Sequence, residues 1–336
     1  MSRKANVLVT GGAGFMGSHL AAQLLREGRS VWVLDDLSGG FRENIPTGCR
    51  FVEGTILNYE LLKKTFKEGK FEYVFHLAAY AAEGLSHFIK RFNYENNLVG
   101  SVNLINLSVL NRIKCFVFTS SIAVYGKNQL PMKEEMKPEP EDPYGIAKYA
   151  VEQELKVSHE MFGLPYIIFR PHNVYGERQN IGDKYRNVIG IFMNQLMQGK
   201  PMTIFGDGSQ KRAFSYIGDI SPAMARSIQV PEAYSQIFNV GADTPYTVNQ
   251  LAEEVAHALG VSAERVYLDP RNEVHEAYAD HSKAERILGI ESKTELGEGL
   301  SKMAAWVKRV GPKKSKEFSG VEIPFKLPPS WCSRDF

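Results

Sequence analysis

Three polar side chains in this sequence have the types and spacing for proton transfer in a crevice. Tyr144 and Lys148 lie four apart in Pro143-Tyr-Gly-Ile-Ala-Lys148, at the start of a predicted helix, so both project from one face. An ammonium beside a phenol favours tyrosinate and lowers the phenol pKa, which makes Tyr144 a usable general base. Taken alone, Tyr-x-x-x-Lys is common and mostly without chemical role. Some 20 residues earlier, Phe118-Thr-Ser-Ser-Ile-Ala-Val-Tyr-Gly126 places hydroxyls just past an apolar strand. There Ser121 can hydrogen-bond a substrate oxygen, or the serines can simply cap the strand in a hydroxyl turn.

A second constellation, near the N-terminus, suits a bound anion. The apolar run Asn6 to Thr10 reads as a buried strand, Gly11, Gly14 and Gly17 follow it, and Phe15 to Glu27 has helical periodicity. Glycines let the backbone turn tightly and approach a pyrophosphate, while the first free N–H groups of the helix, around Phe15, Met16 and Gly17, face its charge. The spacing is G-x-x-G-x-x-G rather than G-x-G-x-x-G, and a glycine-rich turn can be only a turn. A second strand, Val31 to Leu34, ends in Asp35 and Asp36, with Asp35 placed 24 residues after Gly11. A ribose-binding carboxylate belongs there. Asp35 can accept from both ribose hydroxyls and would repel a 2′-phosphate, so the pair of signals points to NAD rather than NADP.

The elements that must carry these groups alternate. Strand-like runs at Asn6–Thr10, Val31–Leu34, Arg50–Val52, Tyr73–Ala78 and Cys115–Thr119 are separated by helical patterns, notably Asn93–Asn111. That order predicts an α/β fold, a Rossmann-type doubly wound parallel sheet with helices on both faces. Strand ends at Gly54-Thr55-Ile56 and Leu77-Ala78-Ala79 should line the cofactor groove at the carboxyl edge of the sheet. A helix from Pro143 to Phe162 leads to a sixth strand, Tyr166 to Arg170. Beyond Asn173 the pattern is less regular: a helix from Asn187 to Gly199, short strands at Ala213–Ile217 and Ile237–Val240, and helices at Val248–Leu259 and Gly297–Val310. The expected division is a dinucleotide-binding domain over 1–180, with returning segments near 213–242, and a smaller substrate-binding lobe over 181–336. The tail from Gly311 carries several prolines and lysines and is expected along the surface.

Composition narrows the function classes. The 336 residues carry 40 basic and 38 acidic side chains, a formal charge of +2, and are 43% hydrophobic. Nothing in that balance calls for nucleic acid or an anionic membrane surface. There is no 18-residue apolar run, and the N-terminus leads straight into a strand, so neither a membrane span nor a signal peptide is expected. Cys49, Cys115 and Cys332 are far apart. They read as reduced thiols of a cytoplasmic protein with no metal site.

In combination the glycine turn, the Thr-Ser-Ser strand end and the Tyr-x-x-x-Lys helix resemble the extended short-chain dehydrogenase/reductase family, and within it the NAD-dependent nucleotide-sugar epimerase branch. The likeness runs from Asn6 to about Trp306. Thr10–Gly17 resembles the family's T-G-G-x-G-[FY]-[IM]-G, Asp35-Asp-Leu-Ser its D-N-L-S, and His76-Leu-Ala-Ala its H-x-A-A. Tyr94-Glu-Asn-Asn97 matches Y-x-x-N-N and implies Asn96 near the nicotinamide. Ser121, Tyr144 and Lys148 fall on the catalytic serine, tyrosine and lysine. Arg170-Pro-His-Asn-Val-Tyr-Gly176 resembles R-x-x-N-V-Y-G, which makes Asn173 a sugar-nucleotide contact. Ile204 to Phe214 resembles I-F-G-D-G-x-Q-x-R-D-F, which makes Arg212 a diphosphate ligand, with Arg271 as a second. Ile122, Asn187 and Val188 complete the substrate set that the resemblance implies.

The resemblance implies epimerisation at C4 of a nucleotide-diphosphate sugar through a 4-keto intermediate, with NAD held through turnover and a homodimer as the working assembly. Family dehydratases, decarboxylases and 3,5-epimerases carry an acidic residue or a cysteine two positions beyond the catalytic Ser/Thr. This chain has Ile122 and Ala123 after Ser121, neither capable of acid–base work. The competing readings are a nucleotide-sugar reductase with exchangeable cofactor and a dinucleotide-sensing regulator on the same fold. Three departures stand out. Thr55 replaces an aspartate that touches adenine, Ala213 replaces the aspartate of R-D-F, and His172 replaces an aromatic, as a core histidine or as a substrate contact. Ala277 stands where a bulky tyrosine excludes 2-acetamido groups in the family. Arg178 and Arg186 flank the sugar segment, either to accept a uronate carboxylate or as solvated charges. The stripe Leu98, Val102, Ile105 and Val109 is either core or the dimer face.

Overall fold

Seven strands form the central sheet: β1 (Asn6–Thr10), β2 (Ser30–Asp35), β3 (Arg50–Glu53), β4 (Tyr73–His76), β5 (Cys115–Thr119), β6 (Tyr166–Pro171) and β7 (Gln236–Val240). Every pairing is parallel, in the order β7-β6-β5-β4-β1-β2-β3. The computed structural model describes residues 4–127, 129–262, 264–271, 274–290, 293–314 and 318–332. Because side chains alternate along a strand, Val7 and Val9 face one helical layer, with Leu20, Leu24, Ile220 and Met224. Leu8 faces the other, with Leu62, Phe66, Leu104 and Val151. The winding reverses between β1 and β4, and such a switch point opens a crevice at the carboxyl ends of the strands.

Local signals explain the helices that the pattern located. Helix α1 (Phe15–Arg26) starts directly from the glycine turn, and α2 (Tyr59–Gly69) and α3 (Gly100–Leu110) cover the opposite face. Helix α4 (Pro143–Phe162) is bounded by Asp142, whose carboxylate accepts from the Gly145 N–H at 2.9 Å, and by left-handed Gly163. Helices α5 (Val188–Met197), α6 (Ile217–Arg226), α7 (Val248–Leu259) and α8 (Leu296–Val310) follow. Of these α5, α7 and α8 share a separate core through Phe192, Leu251, Val255, Leu300 and Met303. That core supports small sheets, in which Lys211–Ala213 lies between Pro245–Thr247 and Glu276–Ala277. No helix among the described residues is long and apolar enough to cross a membrane.

Several expectations need correction. The helix expected over Asn93–Asn111 is two helices, Lys90–Tyr94 and α3, joined by a wide π turn at Glu95–Val99. The wide turn accompanies inward bonding of asparagines. The Asn97 amide donates to Tyr80 O and to Asn93 Oδ1, and its Oδ1 accepts from Tyr80 N at 2.8 Å. Strand β4 stops at His76 rather than Ala78, because the Ala78 N–H turns to the Thr10 hydroxyl and the chain bends beneath Gly11. The strand expected over Ala213–Ile217 breaks at Phe214, and α6, with Pro222 inside it, begins at Ile217. Of the stripe left open between core and dimer face, Leu98, Ile105 and Val109 pack into the core, and Val102 is half-buried. The outward apolar residues of the same helical layer are Val99, Leu110, Ile146, Val157, Met161 and Phe162. The tail is not merely surface-laid, since Trp331 is buried against the segment 82–89. The Cys332 side chain and the last four residues lie outside the described residues.

Candidate active site

The switch point opens a cavity of about 540 Å³. Its floor requires glycine in two places. Gly11 has φ +70°, and a Cβ there would meet Ala78 N at 2.7 Å, while a Cβ on Gly17 would lie 2.1 Å from Gly11 O. The chain therefore leaves β1 close against the 77–79 segment, and α1 begins with no side-chain cap and no acidic residue in its first turn. The N-terminal N–H groups of an uncapped helix beside a cavity form an anion site. Gly14, Phe15, Met16 and Gly17 line it there, and Leu77, Ala78 and Ala79 face them.

Asp35 ends β2 at the rim, 8% exposed, with Oδ2 accepting from Ala13 N at 3.0 Å and Oδ1 from Leu37 N at 2.8 Å. Burial raises its pKa, and these two N–H bonds oppose the shift. Asp36, Thr55, Ile56 and Asn96 also line the cavity. Thr55 Oγ1 is turned to its own loop, accepting from Leu57 N at 3.2 Å. NAD fits this surface: an uncapped helix end for its pyrophosphate and a carboxylate at the ribose end. Two buried acceptors lining the same cavity, Thr119 Oγ1 and Gln179 Oε1, find no protein partner.

Ser121, Tyr144 and Lys148 line the same cavity. Ser121 is extended past β5, its Oγ accepting from Ala123 N at 3.1 Å, and it lies close enough to the Tyr144 phenol to pull its pKa down. The Lys148 ammonium donates to Thr119 O at 2.8 Å and lies 4.8 Å from the Phe118 ring centroid and 5.7 Å from that of Tyr144. Both groups are shielded from water, and shielding reverses the expected electrostatics. Burial pushes the Tyr144 phenol well above its usual range, Glu83 and Asp142 add to that, and the Ser121 bond and the Arg186 charge pull against it. The Lys148 ammonium is itself pushed down to about 7 by burial, with Glu152 opposing. Without cofactor this pair tends to neutrality.

Behind them lies a buried polar network. Glu152, one helical turn beyond Lys148, is paired with Arg170 through both oxygens, at 2.9 and 2.5 Å, and accepts from Ser120 Oγ at 2.6 Å. Arg170 reaches on to Tyr125, whose hydroxyl donates to Asn239 Oδ1.

The opposite wall carries the remaining residues. Asn173 and Asn187 line the cavity with φ of +41° and +66°, a region asparagine tolerates better than most residues. The Asn173 amide donates to Ala213 O at 3.1 Å. His172 and Val188 line the same wall, but both His172 nitrogens engage protein atoms. Nδ1 bonds Ala213 O at 3.2 Å and Nε2 bonds His281 Nε2 at 2.9 Å, and burial pushes its pKa down to about 3. Arg212 is held by the carbonyls of Lys211, Val274 and His275, and the Arg271 guanidinium rests 4.6 Å over the Phe205 ring. Ile122, Ala123 and Ala277 supply small or apolar surface. Arg178 is not part of this wall and donates to Ser18 O. Arg186 is: it pairs with Asp183 and sits 4.7 Å over the Tyr80 ring.

Among the cavity residues that sequence reasoning missed are Tyr80, Glu83, His87, Gln179 and Tyr185. The one available signal was position, since 80–87 follows β4 at the carboxyl edge. Among the described residues no cluster of three or more His, Cys, Asp or Glu could hold a metal ion.

A UDP-glucose 4-epimerase of Thermotoga maritima, solved with UDP-glucose, superposes with a TM-score of 0.87 at 36% identity over 91% of this chain and 99% of that one. A UDP-N-acetylglucosamine 4-epimerase of Methanobrevibacter ruminantium, in complex with UDP-N-acetylmuramic acid, gives 0.85 at 32% identity over 92% and 99%. The UDP-glucuronate 4-epimerase of Thermodesulfobacterium geofontis is 30% identical over 90% of this chain and 95% of its own length. The model of the NAD dependent epimerase/dehydratase family matches residues 7–241, and the chain belongs to that family.

Proposed function

We propose that this protein is an NAD-dependent 4-epimerase of UDP-sugars, UDP-hexose, UDP-N-acetylhexosamine or UDP-uronate, acting through a transient 4-keto sugar. The observation that carries this reading is the convergence of Ser121, Tyr144 and Lys148 in one cavity, beside Ile122 and Ala123, which cannot exchange protons. Tyr144 Oη takes the proton of the sugar 4-OH and later returns it, and Ser121 Oγ hydrogen-bonds the same oxygen. Lys148 stabilises the phenolate, and Glu152 keeps the ammonium available despite its burial. When bound, NAD would supply a reversible hydride acceptor for C4 and positive charge that favours the phenolate. Arg212 and Arg271 grip the diphosphate, because guanidinium groups match phosphate oxygens, and Asn173, Asn187 and Val188 hold the nucleotide end. The grip tethers the intermediate while its ring turns.

The relatives named above act on different UDP-sugars, and Ala277 in place of a bulky residue favours a sugar with a large C2 substituent or a carboxylate. Residues 1–180 with 213–242 serve as the dinucleotide-binding unit and the remainder as the substrate lobe. The exposed apolar residues Val157, Met161 and Phe162 on α4 supply the face of a cytoplasmic homodimer. The test is incubation of the NAD-loaded protein with UDP-glucose, UDP-N-acetylglucosamine and UDP-glucuronate, with products resolved by proton NMR. A C4 epimer from at least one is expected, and no epimer from any would overturn the reading.

A further inference from the structure

The C-terminal segment Phe318–Trp331 packs onto the back of the cavity wall, beyond the part of the chain that the family model matches. Three sets of contacts tie it there. Phe318 meets Phe92 and Tyr80 with ring centroids 4.9 and 5.2 Å apart. Glu322 accepts from Arg91 N at 2.9 Å and Phe92 N at 2.8 Å, and its own N–H donates to Phe88 O at 2.8 Å. Trp331, 6% exposed, lies 5.5 Å from Tyr185 and 6.2 Å from Phe88, and its ring comes close enough to Gly84 that a Cβ there would sit 3.3 Å away. The indole N–H has no partner, so apolar packing holds the ring.

The residues so held are cavity residues. Tyr80, Gly84, Phe92 and Tyr185 line the cavity, and Arg186 stacks on Tyr80. The loop so held reaches the catalytic helix, because Ser86, between the Trp331 contacts, accepts from Tyr144 N at 3.3 Å, donates to Glu83 O at 2.6 Å and lies 3.4 Å from the Asp142 cap.

We propose that Trp331 and Glu322 are positioning residues of the active site, which hold the 80–92 loop and Tyr185–Arg186 as the wall of the sugar pocket and steady the start of the Tyr144 helix. This inference rests on the sugar-nucleotide reading above. Burial of an aromatic ring against that wall fixes its position through dispersion and exclusion of water, and a shift of about 1 Å at reacting groups is worth orders of magnitude in rate. The glycine turn and Asp35 lie on other elements, so NAD affinity should be untouched.

The experiment compares Trp331→Ala, Trp331→Phe and Phe325→Ala in the full NAD-loaded chain. Phe325 is 73% exposed and belongs to the same segment. Trp331→Ala should raise KM for the UDP-sugar and lower kcat, cutting kcat/KM at least about tenfold, with the NAD dissociation constant within twofold of wild type. Trp331→Phe should recover most of the loss, and Phe325→Ala should behave as wild type. The proposal is overturned if Trp331→Ala keeps kcat and KM within twofold, or if activity falls only in step with the fraction of protein that binds NAD. Should wild type turn over no UDP-sugar, the functional reading fails and hydrogen exchange decides the positioning. Amides of 83–92 and of Tyr144 then exchange at least about tenfold faster in Trp331→Ala while β5 and β6 are unchanged, or the proposal falls.

Discussion

Replacing Lys148 by methionine should stabilise the cofactor-free protein, and more so at lower pH. Burial holds the Lys148 pKa near 7, against 10.5 in an unfolded chain. The unfolded state therefore binds more protons between about pH 7 and 10.5, and stability rises with pH across that window. Below the folded pKa the full penalty applies, and above the unfolded pKa it vanishes. At pH 6 it amounts to about 5 kcal/mol and at pH 9 to about 2 kcal/mol, from 1.36 kcal/mol per unit. The nearby His76 is pushed down chiefly by burial, which the substitution leaves in place, so it stays neutral at both pH values. Methionine keeps most of the volume and loses the bond to Thr119 O, worth about 1–2 kcal/mol at either pH. Urea unfolding of nucleotide-stripped wild type and Lys148→Met at pH 6 and 9 isolates the effect, because other groups cancel in the difference. The stabilisation should be larger at pH 6 by about 2–3 kcal/mol. An equal difference at the two pH values would refute the reasoning and place Lys148 in an ordinary, well-solvated state.

Tyr144→Phe should leave NAD binding intact and cut turnover by roughly 10²–10⁴-fold, the usual worth of a positioned acid–base group; retention of more than a tenth of wild-type turnover would remove Tyr144 from the base role. Calorimetry should show NAD binding at least about 100-fold tighter than NADP, because Asp35 is a poorly hydrated carboxylate at the ribose end, and Asp35→Ser should narrow that gap; equal dissociation constants in wild type contradict it. Light scattering at micromolar concentration should give twice the 37.7 kDa chain mass, and Val157→Lys with Met161→Lys should halve it. A monomeric wild type would rule out the helical pairing face.

Where chemistry is written in short range, the sequence was readable. The glycine turn is dictated by backbone approach at Gly11 and Gly17, and α4 is bracketed by Asp142-Pro143 and Gly163. Helix α7 has its capping box at Thr247 and Gln250 and its stop at Gly260. What escaped depends on partners distant in the chain. Strand Pro245–Thr247 exists because it pairs with Lys211–Ala213, the wide turn at Glu95–Val99 because Asn97 reaches Tyr80, and α6 runs through Pro222 against any local reading. The direction of the Tyr144 shift was hidden for the same reason. Lys148 at i+4 is visible in the sequence, but the loss of water around both groups is a property of the packed cavity. His172 was left open between core and ligand, and its bond to His281, 109 residues away, is what occupies its second nitrogen.

The proposed chemistry is confined to C4. Ile122 and Ala123 beside Ser121 offer no group to deprotonate C3 or C5 of a 4-keto sugar, whose neighbouring carbons are acidified by the ketone. Turnover of a UDP-sugar carrying deuterium at C4, and of the unlabelled sugar in D₂O, tests this directly. The account predicts that the C4 label is retained in the epimer and that no ring carbon takes up deuterium from solvent. Deuterium at C3 or C5, or release of water or CO₂, would contradict it.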